Sequence, residues 1–423
     1  MSMEGLPMEP LQRSTRTHSR TIILAAGAFT AMGTGAIYMW SIFNKPLMAQ
    51  FGYSASEVSL VYSLFMFMSL VGSIIAGWLQ NRMESRRIVL GSGMLFGLGW
   101  FLTGFADNLP MLYLCFSGLA GLGNGFLYNT IVAVVIKWFP DRRGFANGIC
   151  IGAIGMSSII FAPLGNFLIE AFDVQMAFHI VGVIWIVIYL VFSNLLQTPP
   201  PDWAPGGKAA GTPDAAASNA PAPTRQVNYS AGQMVRTPLF YCLFLMYMTA
   251  VTSGLMITGH ASNIGQELAG LTAGEGAIMV AVLAVGSTLG RFGFGAASDH
   301  IGRFNTLLIA LGLNAIVMFL IMPQATSFVP FLASVCVVGA CFGGTLTVVP
   351  AIVGDAFGSA NFGQNYSFVY AGYTTASFIG PLAAATAIET AGNYLPAFTT
   401  AGALSLVGIA LVFACKHFYN KLG

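Results

Sequence analysis

In the stretch Val285-Gly-Ser-Thr-Leu-Gly-Arg-Phe-Gly-Phe-Gly-Ala-Ala-Ser-Asp299, one arginine, Arg291, stands inside an otherwise apolar, glycine-rich run. Its guanidinium stays protonated at any usable pH. Holding that charge in hydrocarbon costs about 2.5–3.5 kcal/mol on insertion scales. Such a charge is kept where it faces a wet cavity and meets an anion. The chemistry is recognition, because a planar fork of N–H donors fits both oxygens of a carboxylate. Two other readings are open to an intramembrane arginine: snorkelling to the interface, or pairing with a buried acid. Snorkelling is awkward, since about two turns at roughly 1.5 Å per residue separate Arg291 from the polar Asp299-His300 end. A buried acid is hard to find. Glu57, Glu267, Glu275, Asp355 and Glu389 all fall at the ends of apolar runs. Anion binding is the expected role of Arg291.

The elements that must position it are membrane spans. The chain is 56% hydrophobic and 8% charged, with mean hydropathy +0.75, whereas an ordinary soluble domain is roughly 25% charged. A net charge of +2 gives no reason to expect a nucleic-acid partner. With about 20 apolar residues as the bilayer length, the sequence predicts twelve spans: 21–43, 56–79, 88–106, 109–136, 145–169, 176–196, 238–262, 273–298, 304–323, 328–353, 363–388 and 394–415. No cleavable signal is expected, because the start is polar and the first apolar run is long enough to span. The expected organisation is a tail at 1–20, a six-helix bundle at 21–196, a linker at 197–236, a second bundle at 237–416 and a tail at 417–423.

The basic residues agree with that count. Arg13, Arg16, Arg20, Arg82, Arg86, Arg87, Lys137, Arg142, Arg143, Lys208, Arg225, Arg236, Arg303, Lys416 and Lys421 all fall on one side. The other side has Lys45 among acids such as Asp107, Glu170 and Asp173. The positive-inside rule then makes both termini and the middle loop cytoplasmic, and the expected location is the plasma (inner) membrane. The six cysteines (115, 150, 242, 336, 341, 415) sit in or beside apolar spans without metal spacing, and read as small packing residues. Residues 197–236 are rich in proline, alanine, glycine and serine, which predicts a mobile linker. Within it, 228–236 is either plain linker or a short amphipathic segment re-entering the second half.

The halves read as copies. One offset of 218 residues carries Gly77 to Gly295, Gly125 to Gly343, Phe139 to Phe357 and Asn147 to Asn365. A shared offset supports a duplicated six-helix unit. Parallel repeats of this kind put a binding site near the midplane between the halves, exposed alternately by rocking.

On these residues the chain resembles the major facilitator superfamily. The turns Gly77-Trp-Leu-Gln-Asn-Arg-Met-Glu84 and Gly295-Ala-Ala-Ser-Asp-His-Ile-Gly302 are similar to that superfamily's gating motif, for which Gly77, Asn81, Arg82, Gly295, Asp299 and Arg303 are the candidates. The first copy departs from the pattern, with Asn81 where an Asp is usual and Glu84 where a Gly is usual. A closer resemblance is to the oxalate:formate antiporter family, and more loosely to the monocarboxylate transporters. It is carried by Tyr38-Met-Trp-Ser-Ile-Phe43, Lys137-Trp-Phe-Pro-Asp-Arg-Arg-Gly144, Gly290–Arg303 and Asn365-Tyr-Ser-Phe-Val-Tyr370. It implies an all-α integral membrane protein whose span 8 arginine, here Arg291, grips a substrate carboxylate.

Oxalate exchangers of that family add a lysine in span 11, seven or eight residues after the Asn-Tyr pair; this chain has Tyr370-Ala-Gly-Tyr373 there. One fixed cation balances one carboxylate, and a dianion would leave net negative charge in low dielectric. A small organic anion with a single carboxylate, of the lactate, pyruvate or formate class, is therefore the expected substrate. Tyr38, Tyr128, Tyr370 and Tyr373 are further binding candidates; any one tyrosine can equally be packing. Asn124 is a candidate substrate ligand or helix–helix glue, and Trp40 is expected to anchor at the interface. Gly121, Gly123, Gly125, Gly339, Gly343 and Gly344 are expected to allow close helix approach.

Coupling is open between proton symport and anion exchange. His260, late in span 7, is the proton-coupling candidate, with a hydrogen-bonded interfacial role as its alternative. A secondary transporter is the leading expectation. An oxalate:formate-type exchanger is the alternative, and a non-transporting membrane sensor a third reading. No enzyme, cofactor or metal is expected, because neither a catalytic pair nor a metal cluster appears in the sequence; the partners are the anion, protons and the lipid bilayer.

Overall fold

The computed structural model describes residues 19–199 and 228–422. Most of the expected N-terminal tail and linker, with Arg13, Arg16, Lys208 and Arg225, lies outside the described residues.

Regular structure among the described residues is helical throughout. The long runs are α1 over 20–51, α2 Ala55–Leu79, α3 Ser85–Thr103, α4 over 109–138, α5 Arg143–Ala171 and α6 over 174–195, then α7 Pro238–Ala269, α8 Ala273–Ile301, α9 over 303–324, α10 Phe328–Phe357, α11 Phe362–Ala391 and α12 Leu395–Leu422. They match the twelve expected spans and form two six-helix bundles. Among the described residues, eight are long and apolar enough to cross a membrane on length and composition alone: α1, α2, α4, α6, α7, α9, α10 and α12. Three of the others, α5, α8 and α11, form the seams between the bundles together with α2.

Most helices run a few residues past the apolar runs. The larger difference is in α1, expected to stop at 43. The polar triplet Asn44-Lys45-Pro46 ends the hydropathy signal but not the helix, which continues to Phe51 and stops at Gly52, whose φ of 71° is left-handed. Within it, Gly35–Met39 tightens to a 3-10 turn.

The duplication is visible in local chemistry. Ser54 and Glu57 form a capping box at the start of α2, and Thr272 and Glu275, at the same 218-residue offset, form another at the start of α8. Helix pairs repeat too: α2 on α4 as α8 on α10, α3 on α6 as α9 on α12, α1 on α5 as α7 on α11. A Cβ on Gly125 would lie 1.8 Å from the Ser69 carbonyl, and one on Gly343 would lie 2.0 Å from the Ser287 carbonyl. Related glycines thus press on related serines, as helix contact in lipid requires.

The halves meet along two seams, α5 against α8 and α2 against α11. One apolar core fills the first bundle and continues across the seams into α7, α10 and α11, while a smaller one fills the far end of the second bundle. Trp40 belongs to the first core. It is 3% exposed, with ring centroids of Phe116 at 4.3 Å and Phe43 at 6.5 Å. This corrects the interfacial role expected for it: the long α1 carries Trp40 inward among aromatic rings from α4 and α6.

Of the two readings of 228–236, re-entry is the one observed. A one-turn helix, Ala231–Met234, is capped by Ser230 and Gln233 and buries Met234 completely. Tyr229 just before it donates its N–H to the Phe357 carbonyl at 3.0 Å, and its own carbonyl accepts from the amides of Asn361 (3.1 Å) and Asn365 (3.0 Å).

Candidate functional site

Arg291 is 2% exposed and projects from α8 into a cavity between the bundles, of about 40 Å³. Its Nη1 donates to the carbonyl of Ile151 on α5, in the opposite bundle, at 2.9 Å. The first bundle supplies Thr34, Ile37, Met66, Asn124, Tyr128, Ile151 and Ile154 to the walls; the second supplies Arg291, Leu346, Tyr370 and Tyr373. Among the described lining residues, Arg291 is the one charged side chain. One water needs roughly 10–15 Å³, so in this conformation there is space for about three water-sized groups.

Four of the sequence candidates meet around the arginine. Tyr128, Tyr370, Tyr373 and Asn124 all line the cavity. The Tyr370 and Tyr373 rings stack at 5.2 Å, and Tyr128 stands 5.4 Å from Tyr370. Asn124 lines the cavity, and its Nδ2 donates to the Ser69 hydroxyl on α2 at 3.1 Å, a helix–helix contact. Ser69 in turn donates to the Gly121 carbonyl at 3.0 Å, which leaves its oxygen to accept and orients the amide. Tyr38 falls in the 3-10 turn of α1, and its side chain lies outside the described residues. His260 is not brought to the cavity. It sits toward the far end of α7, 6.1 Å from the Tyr394 ring.

On the basic side of Arg291 the two seams are fastened differently. In the α5/α8 seam, Asp299 accepts from the N–H groups of Gly144 (3.1 Å) and Phe145 (2.8 Å) at the start of α5, where a helix favours an anion. Arg303 bonds Asp299 and reaches Asp355 on α10 at 3.0 Å; Arg143 of α5 closes on Asp355 at 2.7 Å. Gly295 allows the contact, since its Cβ would lie 2.8 Å from the Gly144 carbonyl.

The α2/α11 seam is neutral. Gly77 presses on Gly363, whose carbonyl would lie 2.5 Å from a Cβ there. Asn129, fully buried, reaches Ser73 (2.8 Å), Ser367 (2.9 Å) and the Gly363 carbonyl (3.0 Å) with Nδ2, and accepts from Gln80 at 2.8 Å. Asn81 donates to Asn361 at 3.0 Å in an exposed position, and the guanidinium of Arg82 lies over the Trp78 ring at 3.8 Å. Above this seam the Tyr128 and Tyr366 hydroxyls meet at 2.9 Å, joining α4 to α11 beneath the cavity.

Asn129, Tyr366, Arg143 and Asp355 were not singled out from the sequence as site residues. The available signal was their polarity: Asn129 and Tyr366 lie inside or at the start of apolar runs, and Arg143 lies within the Lys137–Gly144 motif.

The Major Facilitator Superfamily model matches residues 23–323 and 248–421. The uncharacterized MFS-type transporter YhjX of Escherichia coli (strain K12) is 31% identical over 360 residues, covering 85% of this chain and 86% of the relative. The oxalate:formate antiporter of Oxalobacter formigenes is 27% identical, covering 92% and 89%; monocarboxylate transporter 13 of Rattus norvegicus is 23% identical, covering 94% and 89%. Among solved structures, FucP, a transporter of the same superfamily, in its outward conformation, gives a TM-score of 0.72 at 17% identity, covering 94% of this chain and 99% of that one. Matched along nearly its whole length, with the same fold, the chain belongs to the Major Facilitator Superfamily.

Proposed function

We propose that the protein is a secondary transporter of small monocarboxylates, of the formate, pyruvate and lactate class, working by alternating access. One observation carries the reading: a buried guanidinium, Arg291, faces a small cavity between the bundles whose other described walls are hydroxyls, an amide and apolar groups. Such a site favours one carboxylate on a short apolar body, with the tyrosines and Asn124 available for a second polar group. The distribution of basic residues supports cytoplasmic termini in a plasma (inner) membrane, which makes the fastened end the inner gate. In the conformation observed the cavity suits a formate-sized guest, and a larger acid requires the bundles to part.

A second reading, oxalate exchanged for formate, draws on the likeness to the Oxalobacter formigenes antiporter. Against it stands the composition of the described lining, where Arg291 has no cationic companion to balance a dianion. Uptake of labelled formate, pyruvate, lactate and oxalate into proteoliposomes, with and without a pH gradient and with unlabelled acid inside, separates the readings. Monocarboxylate uptake is expected, with weak competition by oxalate. Oxalate outcompeting pyruvate would favour the exchanger, and no uptake of any acid would refute both.

A further inference from the structure

Resting on the carboxylate reading above, we propose that Gly155 is a positioning residue for Arg291, so that anion affinity is set by α5 of one bundle as well as by α8 of the other. The Arg291 guanidinium crosses the seam to the Ile151 carbonyl at 2.9 Å. Gly155 follows one helical turn along α5. A Cβ on it would lie 2.2 Å from Oγ1 of Thr288 and 3.0 Å from Nη1 of Arg291. Thr288 cannot easily yield. It is β-branched, and its hydroxyl is tied to the Ala284 carbonyl of its own helix at 2.9 Å. The overlap with Thr288 is relieved only by easing α5 away from α8 beside the Ile151 carbonyl, so a side chain at 155 would loosen the 2.9 Å hold on the guanidinium and shift it from its place in the cavity.

Neighbouring glycines of α5 do something else. A Cβ on Gly148 would meet the Arg291 carbonyl at 2.7 Å, and one on Gly152 would meet the Phe292 ring at 2.6 Å. Those two set the spacing of α5 and α8. Gly155 alone among the three faces the charged end of Arg291.

The test is concentration-dependent uptake of labelled pyruvate by the full chain in proteoliposomes, for wild type, Gly155→Ala, Thr288→Ala and the double variant. Gly155→Ala is expected to raise KM about tenfold with kcat within about threefold, the pattern of weakened binding rather than slowed transport. Thr288→Ala alone should stay near wild type. In the double variant the hydroxyl that the new methyl would strike is gone, and KM should return to within about threefold of wild type. An unchanged KM in Gly155→Ala, a fall in kcat alone, or a double variant no better than the single one overturns the proposal. Should Gly155→Ala fail to fold, the double variant carries the same test: it must fold and bind near wild type. A wild type that takes up none of the four acids refutes the carboxylate reading itself, and this inference with it. A wild type that transports beside an unaffected Gly155→Ala refutes only the positioning role.

Discussion

Ser73 and Arg291 occupy the same place in the two repeats, 218 residues apart, and each faces the opposite bundle. Ser73 meets Ser367 of α11, whose hydroxyl donates to the Ser73 carbonyl at 2.7 Å; Arg291 meets the Ile151 carbonyl of α5 at 2.9 Å. The duplicated framework therefore has one uncharged and one charged crossing point. Only the charged one has a reason to attract an anion, and the cavity has formed beside it.

Removing that charge should end transport. Arg291→Ala is expected to lower kcat/KM for pyruvate by at least about a hundredfold, the equivalent of losing two charge-assisted hydrogen bonds. Arg291→Lys keeps a cation but loses the fork, and should cost about tenfold or more. Proteoliposome uptake measures both, and uptake within a factor of two of wild type would contradict the assignment.

Adding a charge should change the substrate. Tyr373 lines the cavity and is 5% exposed, which makes it a position from which a second cation would face the same space. Tyr373→Lys would bring a second cation close to Arg291, unfavourable when empty but matched by a dianion. Oxalate should then compete for labelled pyruvate uptake about tenfold better than against wild type. No gain in competition would count against the one-charge, one-carboxylate argument.

The hydroxyl contact beneath the cavity should act on conformation. Tyr128→Phe keeps the ring and removes the 2.9 Å contact with Tyr366, worth about 0.5–1.5 kcal/mol net. The conformation with the basic end open should gain about two- to tenfold in population. Hydrogen exchange or thiol labelling at that end reads the shift.

The two copies of the gating motif should not be equivalent. Asp299 is 13% exposed at its side chain and serves Gly144, Phe145 and Arg303 together, so Asp299→Ala should lower uptake about tenfold or more. Asn81 makes an exposed bond to Asn361, where water competes, and Asn81→Ala should change uptake by less than about twofold. Equal effects would mean that the seams share the load.

The sequence was most informative where physics is regional. Apolar length gave the spans, the shared offset gave the repeat, and the cost of Arg291 in hydrocarbon marked the charge facing the cavity. It was least informative where function depends on a partner from a distant segment. The apolar sequence around Ile151 does not reveal a carbonyl that holds Arg291, and Asn129 stands in α4 with its seam partners Ser73 in α2 and Ser367 in α11. Trp40 shows the same limit, because a tryptophan near a predicted helix end reads as an anchor until the helix is seen to run on to Phe51.

The mismatch between the seams fixes an order of events. The ionic clasp, with side chains 13–26% exposed, can be hydrated while still fastened, and dissolved ions weaken it by degrees. The dry one, centred on Asn129, has no such halfway state: its amide and hydroxyls lose their partners before any solvent can replace them. Parting should begin along the α5–α8 flank and swing about the α2–α11 flank, as a door turns on its hinged edge.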